Sequence, residues 1–69
     1  MVILSEEKDR LKGLIKHWAH HNDEHMKRFL ESADRAKELG LQGVVVEMKL
    51  AAEKSGEVST HLRNALEHL

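Results

Sequence analysis

The sequence predicts an all-α fold, either an antiparallel helical hairpin or a three-helix bundle, that is completed by homodimerisation. The 69 residues contain no proline and only four glycines, so few positions interrupt a helix. Apolar residues recur at helical spacing on both sides of Gly40, in a first stripe that ends at Leu39 and a second that ends at Leu69. A chain of this length is predicted to form one small domain, residues 1–69.

The first helix is predicted to begin at Ser5, because a serine hydroxyl caps helices well and two glutamates follow it. Its apolar stripe is continuous only if His21, Asn22 and His25 are counted as inward-facing. Asn22 is also a good cap residue with acidic residues after it. The sequence is therefore compatible both with one long helix and with two helices joined by a hinge at Asn22.

Gly40 is predicted to end this helix in a left-handed conformation, and the second stripe begins at Val44. We interpret the β-branched residues 44–46 as a first helical turn, since three residues cannot form a sheet. A short turn implies antiparallel packing. The apolar residues 2–4 and 44–46 would stay exposed on a hairpin, which is why a homodimer is expected.

Composition argues against several functions. The net charge of −1 comes from intermixed basic and acidic residues, and with one Phe and no Tyr this argues against nucleic acid as a partner. The apolar residues 1–4 are too short for a signal peptide or a membrane span, so a soluble, cytoplasmic protein is expected. Disulfides and thiolate ligands are excluded because there is no Cys. The known hydrolase, phosphate-loop and nucleophile motifs do not occur, which predicts that the chain is not an enzyme.

The histidines carry the strongest functional signal. His17, His21 and His25 follow one another at one-turn spacing, but the outer two would be about 12 Å apart on a straight helix, too far to share one ion. If the hairpin bends near residue 42, His21 lies opposite His61 and His25 opposite Glu57. We therefore predict a nickel or zinc site formed by His21, His25, His61 and Glu57, with His17 as the substitute if the register slips by a turn.

A rival hypothesis gives the same residues a structural role. His21, Asn22 and His25 would form a hydrogen-bonded seam in the core beside Trp18, in a protein–protein interaction module with a homodimeric or other protein partner. Trp18 and Phe29 are predicted core aromatics in either case. Metal titration of wild type and His21→Ala discriminates the two hypotheses.

The string His17-Trp18, His21-Asn22 and His25, followed by Phe29 and a Glu-Leu-Gly-Leu ending at residue 41, resembles a family of short, uncharacterised prokaryotic proteins. That family, of archaea and anaerobes, has a helical His-Trp-x-x-His-Asn-x-x-His pattern, and the resemblance covers residues 11–66. Its association with small nickel-binding domains implies metal handling. The chain departs from the pattern after Phe29, where a second Trp is missing. The resemblance therefore extends only to His17, His21, Asn22 and His25.

Overall fold

The structure is a computed structural model that describes the backbone of residues 2–69 and the side chains of residues 5–69. Two helices, α1 (Val2–Glu38) and α2 (Gln42–Glu67), pack side by side as an elongated hairpin measuring 58 × 14 × 11 Å. The predicted all-α class is thus confirmed, in its helical hairpin form. In the described part of the chain, no helical stretch has the length and apolarity that crossing a bilayer requires.

Helix α1 starts earlier than predicted and has no interruption. It begins at Val2, so the prediction that Ser5 caps it is wrong; no glycine or proline lies between them to stop the helix. It also continues through Asn22 without a break. The predicted hinge there does not form because the Asn22 side chain bonds to α2 and does not cap its own backbone. The predicted exposure of the side chains of residues 2–4 lies outside the described residues.

Gly40 ends α1 as predicted, with a φ of 73° that L side chains rarely adopt. The amide of Leu41 donates to the Ala36 carbonyl at 2.9 Å, and the amide of Gly40 donates to the Lys37 carbonyl at 3.1 Å. These are the two hydrogen bonds of a Schellman motif, which satisfy carbonyls left free at a helix end. The chain reverses here, and α2 begins at Gln42.

The predicted alignment of the two helices is close to the one observed. A Cβ built on Gly56 would lie 3.3 Å from the sulfur of Met26, and Asn22 bonds to Ser59. These contacts put the middle of α1 level with residues 55–60 of α2, as the bend near residue 42 implied. Residues 44–46 are helical, and Val44 and Val46 are exposed as expected.

The interior between the helices is built almost entirely from small side chains. Among the residues whose side chains the structure describes, the buried ones are Ile15, Ala19, Ala33, Ala36, Ala52, Ser55 and Ser59. Trp18 remains 48% exposed, so the prediction that it is a core aromatic is wrong, and Phe29 is only half-buried. Alanine and serine let two helices approach closely, and a large side chain beside such a contact is left at its edge. The core is consequently thin.

Candidate functional site

A chain of side-chain hydrogen bonds crosses from α1 to α2 at the middle of the hairpin. The Asn22 amide nitrogen donates to the Ser59 hydroxyl at 2.8 Å and to the Ser55 carbonyl, while its oxygen accepts from the Ser55 hydroxyl at 2.9 Å. The Ser59 hydroxyl in turn donates to Asp23 at 2.6 Å. We call Asn22, Asp23, Ser55, Ser59 and Arg63 the Asn22 network. Among the described residues, no buried side-chain nitrogen or oxygen lacks a partner.

The network ends in an ion pair at the edge of the hairpin. Both terminal nitrogens of Arg63 donate to the Asp23 carboxylate. Hydrogen bonds from Arg63 and then from Ser59 lower the pKa of Asp23 from 3.8 to about 2, and the pKa of Arg63 is raised by the same contact. With the Asp23 side chain one-third exposed and that of Arg63 half exposed, solvent screens the pair. Its main effect is to align the two helices.

The lowered pKa of Asp23 predicts how stability depends on pH. The unfolded chain binds this proton near pH 3.8 and the folded chain only near pH 2, so protonation favours unfolding in between. The stabilisation by Asp23 is therefore complete above about pH 5 and is lost progressively as the pH falls towards 2. We expect the free energy of unfolding, measured by urea denaturation, to fall more steeply across this window in wild type than in Asp23→Asn.

Asp9→Asn is the matched control, because it removes an exposed carboxylate of α1 outside the network and makes the same change in net charge. Its pH profile should run parallel to that of wild type. Equal slopes for wild type and Asp23→Asn between pH 4 and 2 would contradict the assigned ion pair.

On α1, His21 and His25 form a close pair outside the network. Their Nε2 atoms share a hydrogen bond of 2.9 Å, in which one ring donates and the other accepts, and the rings are perpendicular with centroids separated by 4.4 Å. His21 is exposed and His25 is half-buried, so the prediction that both lie in the buried stripe is wrong. A rotation of about 100° per residue puts Asn22 between the helices and leaves His21 beside them. We call His21 and His25 the histidine pair.

Two further rings flank the histidine pair along α1. His17 stacks on His21 with centroids 5.9 Å apart and planes 15° apart. Phe29 lies against His25 with centroids 6.3 Å apart and planes at 28°. Such neighbours restrict the rotation of the imidazoles, much as outer-shell groups orient metal ligands. His17 therefore lies behind His21 and is not a third member converging on the pair.

The structure does not bring Glu57 and His61 to the histidine pair. Glu57 is two residues from Ser55 and from Ser59, and His61 is two residues beyond Ser59, so a turn of about 200° directs both away from α1. Glu57 is exposed and pairs with Lys54 at 3.7 Å. Within residues 5–69, no three His, Asp or Glu side chains are grouped so that they could hold one metal ion.

The sequence reading predicted the level of the facing residues but missed the Asn22 network. The predicted second stripe contained Ser55 and either Val58 or Ser59, whereas Asp23 and Arg63 had no assigned role. A usable signal was present in the small residues Ala52, Ser55 and Ser59, which recur at spacings of three and four on α2. Arg63, one turn beyond Ser59, completes that pattern.

Comparison with known proteins places this chain in a family. Residues 11–69 match the family described as Domain of unknown function (DUF8180). The chain belongs to this family. A relative from Archaeoglobus fulgidus, named Uncharacterized protein, is 34% identical over 59 residues, covering 86% of this chain and 94% of its own length. No solved structure matches the chain. An uncharacterised family with an archaeal member was expected from the sequence, and that much is confirmed.

Proposed function

We propose that this DUF8180 protein is a cytoplasmic, non-enzymatic protein that binds a divalent transition metal, nickel or zinc, through His21 and His25. The observation that carries the proposal is the 2.9 Å separation of their Nε2 atoms. Imidazole nitrogen is a preferred ligand of both metals. The resemblance to a family associated with nickel-binding domains points the same way.

The distance between the two nitrogens fits a chelating pair. Metal–nitrogen bonds of about 2.0–2.1 Å at a right angle put two ligand atoms about 2.9 Å apart, and a tetrahedral angle widens this to about 3.3 Å. The hydrogen-bonded separation of 2.9 Å therefore equals the spacing that two ligands at a right angle require, so a metal ion can replace the shared proton with little movement of the rings. A small rotation of the exposed His21 ring reaches the tetrahedral value that suits zinc. In the metal-free hydrogen bond one of the two Nε2 atoms carries a proton. Metal binding requires that this ring carry its proton on Nδ1 instead, so that both Nε2 atoms present lone pairs.

Within residues 5–69, the side-chain hydrogen bonds and the ion pair that cross between the helices do not involve the histidine pair. Asn22, Ser55 and Ser59 supply the hydrogen bonds that cross between the helices, and Asp23 with Arg63 supplies the ion pair. The rival hypothesis assigned that structural role to His21, Asn22 and His25 together, but within the crossing network only Asn22 carries it. One exposed and one half-buried imidazole, each held by a neighbouring ring, are better suited to binding a ligand than to holding the helices together.

Calorimetric titration of Ni²⁺ or Zn²⁺ into untagged protein tests the proposal. Loss of one outer-shell partner typically weakens metal binding about 10–100-fold, and loss of a ligand should cost at least as much. We therefore expect His21→Ala to lower the affinity about 100-fold.

His20→Ala is the matched control for this titration. His20 is exposed on the same helix, but it pairs with Glu24 at 3.3 Å and lies on a different side from the histidine pair. Its removal should leave the affinity unchanged. Equal affinities in wild type and His21→Ala would refute the proposed site, even if some metal binds elsewhere on the chain.

A further inference from the structure

The histidine pair supplies fewer ligands than a transition metal takes from a stable protein site. Structural zinc sites have four protein ligands, and square-planar nickel also has four. The described residues contribute no third His, Asp or Glu at this position. A site of full coordination at the histidine pair therefore needs ligands from another molecule.

The histidine pair lies on an apolar side of the hairpin. Leu14, Trp18, His21 and His25 follow one another at spacings of four, three and four, so they form one row along α1. Leu14 and Trp18 are 44% and 48% exposed. On α2, Val58 is also exposed, and Leu62 follows it by one turn. We call Leu14, Trp18, Val58 and Leu62 the Trp18 face.

The Asn22 network shows that both halves of the Trp18 face are on the same side. His21 and Asp23 flank Asn22 in sequence, so a rotation of about 100° per residue puts them on opposite sides of the helix contact. Asp23 pairs with Arg63 on one side, which leaves His21 on the other. About the axis of α2, Val58 and Arg63 are displaced from Ser59 in opposite directions. Because Arg63 lies on the side of Asp23, Val58 lies on the side of His21.

One broad side of the hairpin has room for a dimer interface of standard size. The Cα trace is 58 Å long and 14 Å wide, so the projected area of that side is on the order of 800 Å², and a standard interface buries about 800 Å² of accessible surface on each partner. Within residues 5–69 the buried side chains are those of one isoleucine, four alanines and two serines, and a core this thin gains from apolar cover. A second copy presents the same apolar side, so two copies are complementary about a two-fold axis.

The position of the histidine pair along α1 determines whether a two-fold axis brings the two histidine pairs of a dimer together. His21 and His25 lie close to the middle of α1 (Val2–Glu38). Two hairpins overlap over their full length when the two-fold axis passes near the middle, and groups beside the axis then meet their own copies. The histidine pair of one copy would then face the histidine pair of the other copy.

We propose that two copies of this chain dimerise through the Trp18 face and that their two histidine pairs form one shared four-histidine metal site at the two-fold axis. This inference rests on the proposed function, because it uses the same ligands. It adds the partner, a second copy of the chain, and the stoichiometry, one ion for two chains. Metal binding and dimerisation are then linked, so each strengthens the other.

The test combines sedimentation equilibrium with Ni²⁺ titration of the same samples. Wild type should bind one ion per two chains and sediment as a dimer, with a dimer dissociation constant that falls about 10-fold or more with metal. Trp18→Glu puts a charge at the centre of the face without removing a ligand. It should sediment as a monomer and bind Ni²⁺ more weakly, while circular dichroism confirms that its helices remain.

Leu30→Glu is the matched control. Leu30 is as exposed as Trp18, at 46%, but it is seven residues from Asp23 and so lies on the opposite side of α1. It should behave as wild type does.

The outcomes separate this inference from the proposed function. One ion per chain on a monomer, with affinity lost in His21→Ala, would overturn the shared site and leave the proposed function standing. A dimer that survives Trp18→Glu and is lost in Leu30→Glu would overturn the choice of face. If wild type binds no Ni²⁺ or Zn²⁺ at all, the proposed function fails, and the shared site fails with it.

Discussion

Asn22→Ala is expected to remove about 2–3 kcal/mol from the free energy of unfolding. Asn22 makes three hydrogen bonds to α2, and its loss leaves the buried Ser55 hydroxyl without its acceptor. A hydrogen bond contributes about 1 kcal/mol net, and an unsatisfied buried group costs about 1–3 kcal/mol. Since the core of a chain this short supplies only about 3–5 kcal/mol, the variant should be largely unfolded at moderate urea concentrations.

Urea denaturation at a fixed chain concentration measures this loss, because a dimer would make stability depend on concentration. Asn64→Ala, at an exposed asparagine of α2, should change stability by no more than about 0.5 kcal/mol. Adding Ser55→Ala to Asn22→Ala should recover part of the loss, since it removes the unsatisfied hydroxyl. If Asn22→Ala were as stable as Asn64→Ala, the network would not hold the helices together.

Much of the hairpin could be predicted because its signals are local. The absence of proline, the helical spacing of apolar residues and Gly40 at the turn each act within a few residues. The length of the turn then sets which levels of the two helices meet. These features require no knowledge of how closely the helices pack.

The angular position of each residue could not be predicted in the same way. The apolar stripe of α1 includes Leu14, Ile15, Trp18 and Ala19, and it is wider than one neighbouring helix can cover. Which part of it is buried depends on the residues of α2, where Ala52, Ser55 and Ser59 favour close contact over bulk. Ile15 and Ala19 are therefore buried, and Trp18 is left at the edge.

The candidate metal site shows the same limit. Position along the helix axis alone predicted that Glu57 and His61 lie opposite the histidine pair. A residue at the matching height on a helix can still point away from its neighbour. Only the contacts of Ser55 and Ser59 with Asn22 fix the rotation of α2 about its axis. That rotation depends on packing between the two helices, so the spacing of the apolar residues alone does not fix it.

The close packing of small side chains predicts a second large loss in the free energy of unfolding, for the substitution Ala19→Leu. Ala19 is buried, with 2% of its surface exposed, and it precedes Asn22 by one turn. A leucine there cannot be accommodated without moving the helices apart, and overpacking of this kind costs about 1–3 kcal/mol. Separation at this level also stretches the hydrogen bonds of Asn22. We expect a total loss near the upper end of that range, measured by urea denaturation.

The comparison variant is Ala65→Leu, at an exposed alanine of α2, which should change stability by no more than about 0.5 kcal/mol. A double variant identifies the cause of the loss. If the leucine acts by stretching the Asn22 network, Ala19→Leu combined with Asn22→Ala should lose less than the sum of the two single losses, by about 0.5 kcal/mol or more. Strictly additive losses would mean that the leucine acts through overpacking alone. An unchanged stability in Ala19→Leu would contradict the close helix contact itself, because a contact with room for a leucine does not depend on small side chains.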